Sequence, residues 1–508
     1  MFKSIKILIN LIGIIIFAML LKNNNLNYNI LGIIGIYFSV YFFINLNTKE
    51  FENFKLQEII TIFISYMLQK TQFLLYKNVY KNKVFFTLNI IMILVFTCFF
   101  LYKLYKTEEK ISLKKALELF HEFLIISMPF FFIIGSKFAI VISVISLIKN
   151  FRKKEYIWDK DIRGLYFSIF CLFLFSATSF IGNEFDSGQI KMFRRFSENL
   201  IFLSLFIQMK FSDINIKKIL KIGVSASIIP IVPVLIQFLQ IRNFSYRYGE
   251  DNPNTWGLEA ALWAGIFLYI VFFKKKKEYM PLYVLYIFTT ILSGSKGPIL
   301  ALIIVNILMF IYRFKNQKKM LAAIFLSSIL IVYGILNTNN RISYSINLIR
   351  KEKTIDSSSA TRIVIYKEAI AQFKEKPING VGFNGYRNNS IKRNLENNTK
   401  ELSYVEQAGY SQAHAHSNIL NLLCTTGILG VLSYLSMYFF ILKKIFKSFS
   451  TNKYSILILG LILTYELCGL VDCTMFNGSQ QLLMLFITGL YIAYVSPKIK
   501  FSKKEKSV

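Results

Sequence analysis

The sequence predicts an all-α, polytopic integral membrane protein of about 12–14 transmembrane helices, with a mostly helical extracytoplasmic loop subdomain. Three observations carry this prediction. The chain has 508 residues, 54% of them hydrophobic and 50 of them Phe, which no water-soluble fold of this length could keep off its surface. Its apolar residues fall in membrane-length runs, and its lysines cluster in the short stretches between them.

The runs lie at 5–21, 28–46, 84–102, 123–148, 163–181, 190–209, 219–241, 255–273, 279–293, 298–312, 320–337, 416–442, 453–471 and 480–496. The first has the charged start and apolar middle of a signal peptide. It lacks a small-x-small cleavage site, so it is expected to remain as a first span. Between 51 and 83, Phe51, Phe54, Ile59, Ile60 and Phe63 are set against Glu52, Lys55 and Glu58, a pattern that suits a helix lying in the interface and also allows an extra span.

A formal charge of +32 would point to nucleic acid in a soluble chain. Here the charge is written as topology, so nucleic-acid binding is not expected. Counting back from the C-terminus, every second loop is basic: 498–506, 443–447, 313–319, 274–277, 210–218 and 149–160. These are predicted cytoplasmic, and 182–189, 242–254, 294–297, 338–415 and 472–479 face outward. The lysines of 103–122 break the alternation.

The outward segment 338–415 is too long for a simple connector. Ser357-Ser358-Ser359 offers an N-cap, and Ile363, Tyr366, Ala369, Ile370 and Phe373 recur at helical spacing up to Lys376-Pro377. Pro377 to Tyr386 then places Gly380, Gly382 and Gly385 in a compact turn where backbone can approach a ligand closely.

Two of the three histidines, His414 and His416, stand where this polar segment meets an apolar run, in Ala413-His414-Ala415-His416-Ser417-Asn418. An imidazole at the outward end of a helix can take a proton from a sugar hydroxyl near neutral pH. His414 and Ser417 rank as supporting residues. Further along, Gly427 and Gly430 are read as small residues that admit another helix. Three outward cations, Arg247, Lys296 and Arg362, suit a diphosphate. Within spans, Glu259 and Glu466, with Asp472 near a span end, are candidate polar groups. The five cysteines form no CxxC pair, and neither a Walker loop, HExxH nor GxSxG occurs in a fitting context, so no metal or nucleotide-sugar site is expected.

These residues together resemble the bacterial O-antigen ligase and O-antigen polymerase superfamily of GT-C membrane glycosyltransferases. The resemblance runs from Asp251-Asn252-Pro253-Asn254, through Ser293-Gly294-Ser295-Lys296-Gly297, Thr361-Arg362 and Pro377-Ile378-Asn379-Gly380-Val381-Gly382, to His416-Ser417 and Gly427-Ile428-Leu429-Gly430. It implies transfer of a glycan from undecaprenyl diphosphate to a sugar hydroxyl, with inversion and no metal or other cofactor. The site would face the periplasm of the bacterial inner membrane. The implied acceptor is lipid A core for a ligase, or another lipid-linked glycan for an O-antigen or capsular polymerase; membrane lipids are the remaining partners.

By the same resemblance His416 is the catalytic histidine and Arg362 the loop arginine that engages the diphosphate. Lys296 stands where many relatives have Arg, and Arg247 would add to the grip, with Asn254, Gly380 and Gly382 in support. The implied organisation is an N-terminal bundle (1–209), spans of the ligase/polymerase core (210–337), the periplasmic loop (338–415), three last spans (416–496) and a basic cytoplasmic tail (497–508). A reading of another class, a lipid-linked oligosaccharide transporter, would place its charges along several spans and show internal repeats. Here the polar groups gather at the outer ends of the runs and in one loop.

Overall fold

A computed structural model describes residues 2–20, 26–48, 155–209, 213–249, 252–317, 341–396, 402–476, 478–496 and 499–500, with single positions at 91 and 144. The runs expected at 84–102, 123–148 and 320–337, the interface helix at 51–83 and the loop at 103–122 lie outside these residues. The protein is an all-α polytopic membrane protein. Among the described residues, five helices are long and apolar enough to cross a membrane: Lys160–Thr178, Ile216–Ile241, Pro253–Phe273, Lys296–Phe314 and Asn418–Lys447. Shorter apolar helices include Ser4–Leu20, Leu31–Phe43, Ser455–Gly469 and Gln480–Val495. The strand pairing described is a two-residue antiparallel bridge, Glu155–Tyr156 against Ile499–Lys500.

The chain divides into two compact units. The first comprises Met1–Phe130 and Asp213–Ser295. In it the helices Phe2–Leu20 and Leu26–Thr48 pack side by side, and Pro253–Leu268 packs on Met280–Leu292 through Trp263, Phe267 and Tyr286, whose rings stack.

The second unit comprises Phe131–Ser212 and Lys296–Val508. Helix Lys160–Thr178 lies along Asn418–Lys447, where Gly164 leaves room for the Phe440 ring and Ser168 Oγ meets Ser436 Oγ at 2.7 Å. Helix Ser187–Ile207 packs on Gly478–Val495, and Asn199 donates to Gln481 Oε1 at 2.6 Å between them. Helix Lys296–Phe314 packs on Ser455–Gly469, with Met309 set against Gly460.

At one end of this unit, Lys443, Lys444 and Lys447 pair with Asp159 and Asp161, and the two-residue bridge ties the same stretch to the C-terminal segment. At the other end, the turn 180–189 is laced to the loop subdomain. Asn183 donates to Gly380 O at 3.1 Å, Gln189 to Phe383 O at 3.2 Å, and Asn388 to Asp186 Oδ2 at 2.8 Å. These contacts put 155–161, 443–447 and 499–500 together, and 183–189 together with 380–388.

The loop helix runs Ser357–Glu375, but its N-cap is Asp356, whose carboxylate accepts from Ser359 N, and not one of the three serines. A carboxylate at this position answers both the open N–H groups and the positive end of the helix. The chain then turns at Pro377 and docks on the long helix Asn418–Lys447, which is interrupted at Gly427 (φ 67°, ψ −169°). Interruption frees carbonyls that would otherwise serve the next turn. Cys424 O accepts from Val381 N at 2.8 Å, Thr425 O from Gly382 N at 3.1 Å, and Ile428 N donates to Pro377 O at 2.9 Å.

This corrects the reading of Gly427 as a helix–helix contact. A Cβ there would lie 2.0 Å from Ile378 O, so Gly427 admits the backbone of the loop, while a Cβ on Gly430 would meet its own helix's Thr426. Gly380 (φ 68°) makes the same close approach from the other side, against Thr425 and Thr426, and Gly382 (φ 101°) lies against Ser179 and Asn183. The glycines expected to approach a ligand approach protein backbone. Irregular backbone at the edge of a membrane helix is tolerated where protein satisfies it.

Candidate active site

Helix Tyr404–Tyr410, fastened by a Ser403/Glu406 capping box, ends at Ser411, and the chain runs without helix to Ser417, the N-cap of Asn418–Lys447. His416 sits in this gap with φ 46°, a left-handed conformation uncommon for residues other than Gly. The surroundings are visible. Tyr366 of the loop helix donates to His416 O at 3.2 Å, and Asn421 accepts from Ala415 N at 3.1 Å. Ala415, Ile365, Ala369, Tyr386 and Cys424 form a buried cluster beneath, so the loop helix and the start of the long helix hold this segment between them.

Both nitrogens of the His416 ring face an oxygen, and a neutral ring, with one N–H, donates to one of the two. Nδ1 is 3.0 Å from Asp472 Oδ1, and Nε2 is 3.3 Å from Gln412 Oε1. Gln412 is itself oriented, because its amide nitrogen donates to Ala408 O at 3.0 Å. Asp472 lies just past helix Ser455–Gly469 and accepts from Cys473 N at 2.8 Å. Asn418, on the first turn of the long helix, clamps the segment that follows: it donates to Thr474 Oγ1 at 2.8 Å and accepts from Met475 N at 3.1 Å.

Burial pushes the Asp472 carboxyl up, but the hydrogen bond and charge of His416, helped by His414 and Cys473 N–H, outweigh it and hold the group below its ordinary value. His414 packs its ring edge-on against His416 at 4.7 Å. Burial, with the His416 charge adding to it, pushes His414 down to about 4. His414, His416 and Asp472 each bring one metal-ligating atom within 4.8 Å of the others.

Arg362 lies one helical turn before Tyr366 and so on the same face of the loop helix. Its Nη1 donates to Ser358 Oγ at 3.3 Å, while its Nε is buried with no hydrogen-bond partner among the described residues. A buried guanidinium N–H left open is costly unless an anion completes it.

Lys296 is placed differently from expectation. Its ammonium is 2.7 Å from Asp356 Oδ2, the residue that caps the loop helix, and 3.4 Å from Ser359 Oγ. Burial raises the Asp356 carboxyl, but the hydrogen bonds of Lys296 and Ser359 and the lysine's charge bring it down to about 2. Lys296 thus fastens helix Lys296–Phe314 to the loop helix with its charge already compensated. Because Asp356 is depressed, the pair stabilises the fold fully above about pH 3.8 and loses that contribution as pH falls toward 2. Lys296→Met is expected to cost about 1–2 kcal/mol at pH 7, discounted for the lysine's partial exposure. Thermal unfolding of the two proteins in detergent should differ at pH 7 and converge near pH 2.

Arg247 and Asn254 belong to the first unit, where they hold each other. Arg247 Nη2 donates to Asn254 Oδ1 and, at 3.1 Å, to Ser295 Oγ, and its Nε donates to Ser293 O at 3.3 Å. Asn254 also accepts from Ser295 Oγ at 2.8 Å. The second unit brings together His416, His414, Ser417, Tyr366 and Arg362, and adds Asp472, Gln412 and Asn418, whose parts were not anticipated. The available signal was the polar pair Asn418 and Asn421 on the first turn of an otherwise apolar helix.

Residues 281–435 match the O-antigen ligase family. The matched stretch contains Lys296, Arg362, His414 and His416 and stops short of Asp472. The chain is also 26% identical over 268 residues to an uncharacterized protein of Haemophilus influenzae (strain ATCC 51907 / DSM 11121 / KW20 / Rd). That alignment covers 49% of this chain and 65% of the relative, so the chain spans less than two thirds of the relative's length.

Proposed function

We propose that this chain, which carries an O-antigen ligase domain at residues 281–435, moves a glycan from a polyprenyl diphosphate such as undecaprenyl diphosphate to a sugar hydroxyl, with lipid A core as acceptor. The single observation that carries the reading is the 3.0 Å pair between His416 and Asp472, held against the face of the loop helix that bears Arg362. The lysine-rich end of the second unit would face the cytoplasm by the positive-inside rule, which puts His416 on the periplasmic face.

In this mechanism Asp472 holds the Nδ1 hydrogen of His416 and leaves Nε2 as the basic nitrogen. The acceptor hydroxyl takes the place that Gln412 Oε1 occupies against Nε2. As the hydroxyl oxygen attacks the anomeric carbon, its proton passes to Nε2. The bond from that carbon to the diphosphate oxygen breaks on the opposite face, so the configuration inverts, and the electron pair leaves on the diphosphate. Arg362 meets the growing negative charge there with the N–H that has no partner among the described residues. Asp472 stabilises the imidazolium formed, and a positioned guanidinium does the charge work that some transferases assign to a metal.

The test is transfer by the purified full-length chain, with undecaprenyl diphosphate-linked donor and core acceptor, in EDTA. The expected result is glycan joined to core with inverted anomeric configuration. Lengthening of the donor with core left untouched would replace the ligase reading by the polymerase one, and retention of configuration would overturn the mechanism.

A further inference from the structure

We infer that His414, His416 and Asp472 form a binding site for a zinc-class divalent ion, and that an ion bound there silences the enzyme by occupying its base. The inference rests on the reading of His416 as that base. The geometry is nearly assembled. With bonds of about 2.0–2.1 Å, the 3.0 Å between His416 Nδ1 and Asp472 Oδ1 subtends about 95° at an ion. His414 offers a third ligand atom; one atom from each of the three residues lies within 4.8 Å of the others, and because two such bonds span at most about 4.2 Å, the group has to draw in by about half an ångström to share one ion. Its Nδ1 faces the backbone N–H of His416 only at 3.4 Å, a weak contact to give up.

The supports of such a site are also in place. A metal-bound imidazole usually donates its other N–H to an oriented oxygen, which fixes the ring. His416 Nε2 faces Gln412 Oε1 at 3.3 Å, and Ala408 O orients that amide. Asp472 is fixed by Cys473 N and His416 by its constrained backbone. Two imidazoles and one carboxylate select zinc and its transition-metal neighbours over magnesium or calcium, which require more oxygen ligands. Three protein ligands leave a fourth position to water.

Binding and transfer exclude each other. An ion on Nδ1 takes the Asp472 carboxylate away from the ring and leaves the ring's one proton on Nε2, so that nitrogen has no lone pair with which to accept the hydroxyl proton. The sequence hides the site because 56 residues separate Asp472 from His416.

The experiment uses the full-length chain in detergent, freed of metal with EDTA and returned to chelator-free buffer. Co2+ is expected to give the visible ligand-field bands of a tetrahedral site, bleached on addition of Zn2+. Zn2+ affinity, measured by calorimetry without substrate, should fall at least tenfold in His414→Phe, which keeps a ring against His416, and likewise in Asp472→Asn. Transfer should be full in EDTA and drop more than tenfold when Zn2+ saturates the site. Unchanged Zn2+ affinity in both variants, absence of the cobalt bands, or activity that requires Zn2+ would overturn the proposal. Because binding is read without substrate, a failure of the His416 base reading would leave the binding result standing, and a failure to bind would leave transfer in EDTA intact.

Discussion

His416→Ala is expected to lower kcat for glycan transfer by about 10²–10⁴-fold, the range that a positioned general base contributes, with little change in the donor's KM. The split follows from the placement of the groups. In the proposed mechanism the imidazole meets the acceptor hydroxyl and the diphosphate is held from the loop helix, so removing the ring would cost the proton transfer and spare donor binding. The limb of the pH–rate profile that reports the base should vanish in the variant. His416→Gln, which can accept a hydrogen bond but not hold a proton, should fare no better. Full activity in His416→Ala would move the base elsewhere and remove the reason for the Asp472 pair.

What could be read in advance was what is written locally. Apolar length drew the run 416–442, and the helix spans Asn418–Lys447; it drew 5–21, and the helix spans Phe2–Leu20. The helix after Ser357 was legible from its apolar spacing, but its cap was misplaced, because Asp356 caps as well as any serine and also takes the ammonium of Lys296, 60 residues away. The glycines were recognised as sites of close approach. Their partner was not: a missing Cβ looks the same whether a helix, a ligand or the carbonyl of Ile378 fills the space.

Sites made by distant segments follow the same logic. His416 stood out as one of the two histidines, of three in the chain, that stand at a polar–apolar boundary. Asp472 was visible only as an acid near the end of a span, since nothing in the intervening residues says that two helices will return it to the imidazole. Lys296 had the right charge for a diphosphate, and only the fold reveals that a carboxylate already answers it.

The second large effect is expected at Arg362. Arg362→Ala should reduce kcat/KM for the donor by about 10²–10³-fold, as removal of one preorganised donor to a developing oxyanion does. Arg362→Lys should recover only a small part, because an ammonium cannot present the two parallel N–H groups that grip phosphate oxygens. The protein itself supplies the contrast. Lys296 and Arg362 are both cations near the start of the loop helix, but Lys296 has a carboxylate at 2.7 Å, whereas Arg362 keeps a buried N–H with no acceptor among the described residues. An anion gains most from the donor that is not already satisfied, and an Asp356-bound lysine would have to break its own pair first. Lys296→Met should therefore lower unfolding temperature more than it lowers kcat/KM, and Arg362→Ala should do the reverse. If Lys296→Met instead gave the larger loss in kcat/KM with unfolding unchanged, the diphosphate would lie against Lys296, and the Asp356 pair would be a contact that the donor displaces.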